Sequence, residues 1–456
     1  MSSTVPLDTI VALAKRRGFI YQGSELYGGL AGTWDYGPYG VLLKNNIKAL
    51  WWRTFVDGRD DMFGVDAAII MNPRVWEASG HVAGFADPMV EDMKNHKRYR
   101  ADHLLEEHGV SVVGMSVADM AKVFVEKGIK SPDGNPVSEP KQFNMMFRTH
   151  VGAAEDSASI AYLRPETAQG MFVNYKNVVD SLHPKLPFGL GQIGKAFRNE
   201  ITPRDFLFRT REFEQMEIEY FIRPAEWETH FEAWRKAMLA WISDIGLDVT
   251  KVHELEVPKE DLAHYSKRTI DFEYAFPFGT KELYGLAYRT DFDLGNHTRE
   301  SGVDLSYRDD ETGDSFMPHV IEPTFGVDRT VLALIAEAYT EDELGGEKRV
   351  YLKLKPSIAP VKAAVSPLLK NKPELVTKAQ EVYGDLKKVL PTVMWDDNGN
   401  IGKRYRRQDE IGTPFCVTID FDTLESDTVT VRDRDTGEQT RIAVSELAGY
   451  LGEKMK

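Results

Sequence analysis

The sequence predicts an α+β domain built on an antiparallel sheet, followed by a smaller α/β domain with helices on a mixed sheet. Three observations carry this. Residues 160–326 read mainly as strands, broken by one helical stretch near 225–245. Residues 341–350, EDELGGEKRV, are a charge run around a glycine pair and read as a linker. Beyond them, strand-like and helical segments alternate to the end of the chain. The division expected is 1–345 and 346–456, with an insertion at about 74–155.

Taken in order, residues 38–56, PYGVLLKNNIKALWWRTFV, predict a helix. Pro38 suits the first helical position, and Val41, Leu42, Ile47, Leu50, Trp51 and Phe55 form an apolar stripe that fits a core helix or a subunit interface equally. VDAAIIMNP reads as a short strand ending at Pro73. The insertion has helical pieces within 101–128 and a Pro/Gly-rich loop, KSPDGNPVSEPK. GVDRTVLALIAEAYT predicts a helix with Val327, Val331, Leu334, Ile335 and Ala338 on one side. In the second domain RVYLKL, PVKAAVSPL, PTVMW and PFCVTIDF read as strands, and PELVTKAQEVYGDLKKVL and KRYRRQDEIG as helices. TVTVRDRDTGEQTRIAV is a hairpin turning at Asp435-Thr436-Gly437.

A chain of 456 residues, 42% hydrophobic and 28% charged, has the composition of an ordinary globular protein with a sizeable core. No apolar run reaches 18 residues, so no spanning helix is expected. At the N-terminus the basic cluster follows the apolar residues, the reverse of a secretory signal, which favours a cytoplasmic address. The single cysteine, Cys416, excludes an internal disulfide and a cysteine-rich zinc site; in its apolar run it reads as a small core residue. A net charge of −15 argues against unspecific binding along duplex nucleic acid, though not against one nucleic-acid partner met by a local basic patch.

GLGQIG (189–194) matches a dinucleotide-binding fingerprint literally. Such a site needs a helix starting at the third glycine, and KAFRNEITPRDF supplies none, so a nicotinamide oxidoreductase rests on a decoy. The stretch that follows, FRNEITPRDFLFRTREFEQME (197–217), carries more chemistry. Period two puts Arg198 and Glu200 on one face of a first strand. After a loop bearing Arg204 and Arg209, it puts Phe213, Gln215, Glu217 and Glu219 on one face of a return strand, opposite Met216, Ile218 and Tyr220. Arginines suit phosphate oxygens, a phenyl ring offers adenine a stacking face, and carboxylates accept from an exocyclic amine or a substrate ammonium. IEPTFGVDRTV adds Glu322 at a strand end and Arg329 in the first turns of a helix, where anions are favoured. YLRPETAQG adds Glu166.

These residues resemble a known family. Phe197-Arg198-Asn199-Glu200 with Arg209, Phe213 and Glu217 match motif 2 of class II aminoacyl-tRNA synthetases, FGVDR resembles motif 3, and the 38–56 helix with the segment ending at Pro73 resembles the dimer-forming motif 1. GGLAGTWDYGPYG, SGHVAGFADPM, LRPETAQG, LYGLAYRTDFDL and IEPTFGVDR narrow the resemblance to the dimeric, single-chain glycyl-tRNA synthetases. NIGKRYRRQDEIGTPFCVTIDF and VTVRDRDTGEQ resemble the anticodon-binding domain of glycyl, prolyl, threonyl and histidyl enzymes. The likeness covers nearly the whole chain.

The resemblance implies a homodimer that activates glycine with ATP and transfers it to the 3′ end of tRNA(Gly). Catalysis is by Arg198 and Arg329, with no protein nucleophile. Arg198 is implied on the α-phosphate, Arg209 and Arg329 at the γ end of ATP, Phe213 on adenine and Glu200 on its amino group. Asn199, Phe208, Thr210, Arg211, Glu212, Leu283, Gly326, Val327 and Asp328 complete the implied ATP site, and Glu282 is implied to hold Mg2+ through ATP. The implied glycine site comprises Glu166, Glu217, Glu322, Thr324, Arg289 and Arg100, with Phe213, Glu214, Gln215, Met216, Pro323, Phe325 and Gly326. Several carboxylates make sense for a substrate whose ammonium is its one strong handle. No editing domain is expected, because glycine has no smaller competitor. Glu282 and Arg289 have opposite strand parity, so reaching one site needs a break, for which Gly285 is the candidate. Lys403, Arg404, Arg406 and Arg407 are the candidate tRNA contact. The competing readings are a class II synthetase for another amino acid and a non-catalytic tRNA-binding relative.

Overall fold

The computed structural model describes residues 5–112, 114–153, 159–390 and 392–455. Residues 113 and 154–155 of the expected insertion and Pro391 of PTVMW lie outside them. The larger domain is built on a seven-stranded sheet whose strands, in chain order, are β1 Met62–Gly64, β2 Phe188–Phe197, β3 Glu212–Ile222, β4 Val252–Glu256, β5 Arg268–Phe276, β6 Gly279–Thr290 and β7 His319–Gly326. Their spatial order is β4-β5-β6-β7-β3-β2-β1, antiparallel throughout except for β1 beside β2.

Alternation along these strands separates two faces. Met216, Ile218 and Tyr220 of β3, Leu286 of β6 and Ile321 and Phe325 of β7 share the main apolar core. Helix Trp227–Ile245 covers that face, burying Phe231, Trp234, Met238, Trp241, Ile242 and Ile245 at helical spacing. Helix Pro38–Trp52 adds Leu43, Ile47 and Trp51 to the same core, with Trp51 against Phe55 and Phe325. Its apolar stripe is therefore mainly a core stripe, although Val41 remains exposed. VDAAIIMNP is not a strand. Beyond β1 only Ile70 makes a β-bridge, to Leu163, and Pro73 opens a short helix, Pro73–Ala78.

The other face forms the floor of a cleft. One end is closed by helices Ala168–Leu182 and Phe292–Ser301, whose Phe172, Tyr175 and Leu294 pack with Phe188, Leu190 and Phe221. The glycines of GLGQIG lie within β2 and permit close approach. A Cβ on Gly189 would run into Met62, one on Gly191 into Val56, and one on Gly194 into the guanidinium of Arg164. The insertion folds on its own small core, with a three-stranded sheet (Ala86–Glu91, Arg98–Arg100, Lys141–Asn144) and helices Ala101–Glu107 and Val117–Lys127.

EDELGGEKRV is a hairpin rather than a linker: Tyr339–Leu344 pairs with Glu347–Leu352 around Gly345-Gly346, both at positive φ. The main core runs as far as Val361 and takes in Ile411 from the second domain, whereas the apolar residues of the second sheet from Ala363 onward form a core of their own. The second domain has a mixed sheet in the order Val393–Trp395, Ala363–Pro367, Phe415–Ile419, Thr428–Asp433, Gln439–Ala443; the first three strands are parallel and the rest antiparallel.

Candidate active site

Strand register explains how distant residues meet. Gln192 of β2 faces Glu217 of β3, Glu217 faces Thr324 of β7, Thr324 faces Gly285 of β6, and Gly285 faces Asp271 of β5. One row across the sheet thus sets polar side chains on the cleft floor, with a glycine leaving room at its centre. The cleft has a volume of about 380 Å³.

At its deep end Glu217 is held from three sides. One oxygen accepts from the Thr167 backbone N–H at 3.1 Å and from the Thr167 hydroxyl, and the other from the Thr324 hydroxyl at 3.0 Å. Burial and the charge of Glu166 raise its pKa. Glu166 accepts from Gln169 at 3.1 Å and lies 3.4 Å from His81 Nε2; burial opposes its ionisation, but His81, Arg289 and Gln169 together lower its pKa. Arg164, buried and donating to the backbone of Lys195 (2.6 Å) and Ala67 (2.8 Å), anchors the turn carrying Glu166.

Arg289 is fully buried. It donates through Nε and Nη2 to Asp293 (2.8 and 2.9 Å) and through Nη1 to both Glu322 oxygens (3.0 Å each), and it stacks 3.8 Å from the Tyr265 ring centroid. Its donors are committed, so it orients Glu322 and does not itself line the cleft. The parity conflict with Glu282 is resolved by a bulge at Leu283 and not at Gly285, which is regularly paired; a second bulge falls on Arg289 itself. Leu283 is the extra residue opposite Phe272 and Glu273, and Arg289 is extra opposite Val320 and Ile321. Thr290 follows at φ 59°, a strained conformation for a β-branched residue, and turns the chain so that Arg289 meets Asp293 one helical turn on.

Toward the open end, Phe213 shares the floor and the Arg198 guanidinium lies 5.3 Å from its ring centroid. Glu200 is buried; its Oε2 accepts no hydrogen bond, and Arg209 Nε lies 3.5 Å from that same oxygen. Arg329 lies 4.4 Å over the Phe208 ring and pairs with Glu282 at 2.9 Å, which lowers the Glu282 pKa. Asp271 is pushed up to about 7 by burial and the negative charge of Glu282. Phe208, Thr210, Glu214, Gln215, Leu283, Thr324, Gly326 and Asp328 also line the cleft. Asp328 further accepts from Tyr36 Oη at 2.5 Å and Glu214 N at 2.7 Å, and Glu214 pairs with Lys44 and Lys48 at 2.8 Å each.

Several expected site residues stand elsewhere. Met216, Phe325 and Val327 point into the core. Pro323 and Asn199 are not in the cleft wall, and the Asn199 N–H is used on Met145 O. Arg211 donates to the backbone of Glu200 and Ala31, and Glu212 pairs with Lys195, both outside the wall. Arg100 sits in the insertion, tied to Asp87 and Asp102, and is not in the wall either; Arg98 is more exposed, 3.5 Å from Glu91. Sequence reasoning missed Asp271, Tyr265, Thr167 and His81. Asp271 was readable in principle from alternation along TIDFEYAF, whereas His81 reaches Glu166 from the insertion and left no local signal.

In the second domain Arg404 is buried and donates to the carbonyls of Pro367, Asp397 and Gly399, so it is structural. Lys403, Arg406 and Arg407 line a groove with Arg17 and Arg432.

Residues 142–338 match the family model described as tRNA synthetase class II core domain (G, H, P, S and T), and residues 362–454 match anticodon binding domain. Curated relatives named glycine–tRNA ligase include those of Thermus thermophilus (51% identical; 99% of each chain), Caldanaerobacter subterraneus subsp. tengcongensis (51%; 100% of each) and Thermobifida fusca (52%; 98% of each). With this similarity along its whole length, a class II core and an anticodon-binding domain, the chain belongs to the glycine–tRNA ligase family.

Proposed function

We propose that this ligase activates glycine with ATP in the cleft and passes it to the terminal ribose of tRNA(Gly). The observation carrying the reading is Glu217, fixed by Thr167 and Thr324 on the same strand face as Phe213, four residues away. That spacing sets an ammonium acceptor beside a nucleobase platform. Glu166, Glu217 and Glu322 receive the ammonium, with Thr324 beside them. Arg289 acts on glycine through Glu322, and Arg100 lies outside the pocket. Arg198 meets the α-phosphate, Arg209 and Arg329 the outer phosphates, Phe213 the adenine ring, and Glu200 its amino group, through an oxygen that accepts no hydrogen bond within the protein.

A glycine carboxylate oxygen forms a bond to the α-phosphorus as the bond to the β-phosphate bridging oxygen breaks and pyrophosphate leaves. The tRNA ribose hydroxyl then attacks the carbonyl carbon, and AMP leaves. The residues contribute positioning and charge neutralisation rather than a nucleophile. Mg2+ fits Glu282 and Asp271: two carboxylates in an open cleft form a hard oxygen donor set, and a cation there removes the repulsion that raises Asp271. When bound, it neutralises phosphate charge.

The groove of Lys403, Arg406 and Arg407 receives tRNA. Half-buried Leu42, Leu50 and Trp52 with exposed Tyr21, Leu26, Tyr27 and Leu30 support a homodimer, which sedimentation tests. No described helix is long and apolar enough to cross a membrane, and we assign the protein to the cytoplasm. The decisive assay is ATP–pyrophosphate exchange across an amino-acid panel. Exchange with glycine alone supports the reading, and exchange with another amino acid or with none overturns it.

A further inference from the structure

One buried acid beside the cleft has no part in the reading above. Glu219 lies two residues along β3 from Glu217 on the same face, is fully buried, and neither carboxylate oxygen has a hydrogen-bond partner. Oxygens of Glu217, Glu219 and Glu322 all lie within 4.8 Å of one another, a separation that one hydrogen-bonded water or a small side-chain rotation spans.

The charged groups facing Glu219 are Glu217 on its own strand, Glu322 on β7, Arg289 at the end of β6, and Asp293 on the helix that follows. Glu166 and His81 complete the cluster on the far side of Glu217 and Glu322. Arg289 is the fixed cation, and its donors are committed to Asp293 and Glu322. An ionised Glu219 would have no hydrogen-bond donor and would share its one nearby cation, Arg289, with Asp293 and Glu322, a costly state for a buried carboxylate. Burial and the charge of Glu322 accordingly push Glu219 well above the usual carboxylate range. Burial pushes Glu322 up as well, but Glu322 keeps two hydrogen bonds from Arg289.

We propose that Glu219 is a positioning residue of the glycine pocket: a neutral carboxylic acid whose O–H is shared with the ammonium-facing carboxylates of Glu217 and Glu322. It supplies a donor to a cluster of acceptors without adding a further negative charge, so the two carboxylates turn their remaining lone pairs to the ligand. The proposal rests on the assignment of Glu217 and Glu322 to the glycine ammonium.

The test is glycine-dependent exchange kinetics of Glu219→Gln, Glu219→Leu and Glu217→Gln, with glycine and ATP varied separately. Glutamine keeps the shape, the neutrality and a donor; leucine keeps only the bulk. Glu219→Leu should raise the glycine KM about tenfold or more, the loss expected for a hydrogen bond to a charged group, with the ATP KM little changed, and Glu219→Gln should restore most of it. A leucine variant with the parent glycine KM, or a glutamine variant as impaired as leucine, overturns the proposal. Glu217→Gln with an unchanged glycine KM overturns the underlying site assignment instead. Should the leucine variant fail to fold, infrared spectroscopy decides. The parent must show a protonated carboxyl band that glycine perturbs and that Glu219→Gln lacks; a band indifferent to glycine, or none, refutes the role.

Discussion

Glu217 and Glu166 are both single glutamates in the sequence, yet they were not equally readable. Alternation along β3 set Glu217 on one face with Phe213, and that inference needed only the pleat. Glu166 acquires its meaning from His81 and Gln169, which tertiary folding alone brings to it. Glu217→Gln should raise the glycine KM at least tenfold while the ATP KM changes far less, because a neutral amide no longer offsets the ammonium charge; steady-state exchange measures both. Cys416 offers a contrasting case. Burial first, then the charge of Asp409, pushes its thiol up to about 12, so the native protein should resist alkylation at mildly alkaline pH and react only on unfolding. Mass spectrometry after iodoacetamide treatment reads this directly. Arg289, Arg211 and Arg100 show the limit of reading arginines from sequence: the residue type announces anion recognition, but whether its donors meet a substrate, a neighbouring carboxylate or a backbone carbonyl depends on the fold.

At the scale of elements, strands declared themselves through alternation, and their faults lay at irregularities. A bulge inverts parity without changing composition. The extra residue at Leu283 therefore could not be located from sequence, and Gly285 drew attention for the wrong reason: it leaves space in the cleft floor. The GLGQIG glycines likewise serve close packing, which a pattern match cannot tell from phosphate binding. The glycine pair of EDELGGEKRV suits a tight hairpin as well as a linker, and only pairing of the flanking charged strands separates the two. Helix Pro38–Trp52 was readable as a helix, but its buried face was not assignable to core or interface. Trp51 now belongs to the core, and Trp51→Ala should destabilise the protein by about 3–5 kcal/mol in denaturant titration. A substantially smaller loss would return that residue to an interface role.

Over the whole molecule, the two domains are joined through buried ionic contacts. Asp409, fully buried, receives Arg432 at 2.8 and 3.0 Å and Arg349 at 3.2 Å, and Arg349 also binds Asp342 at 2.6 and 2.8 Å in the hairpin that leaves the catalytic domain. Glu410, next along the same helix, reaches Arg16 and Arg17 of the N-terminal helix region. Removing one partner strands the others, so Asp409→Ala should cost about 3–5 kcal/mol of stability, read by thermal or denaturant melts. Replacing Lys403 and Arg406 by alanine on the outer face of that helix should instead raise the tRNA KM several-fold and spare pyrophosphate exchange; equal loss of both activities removes the groove from the tRNA path.

The hairpin joint has a mechanical meaning as well. Flexible tethering would let the basic groove and the catalytic cleft drift apart or together. Clamped by Arg349 and Asp409, they keep a set span, and the molecule is built as a caliper, with groove and cleft as two jaws held a fixed distance apart.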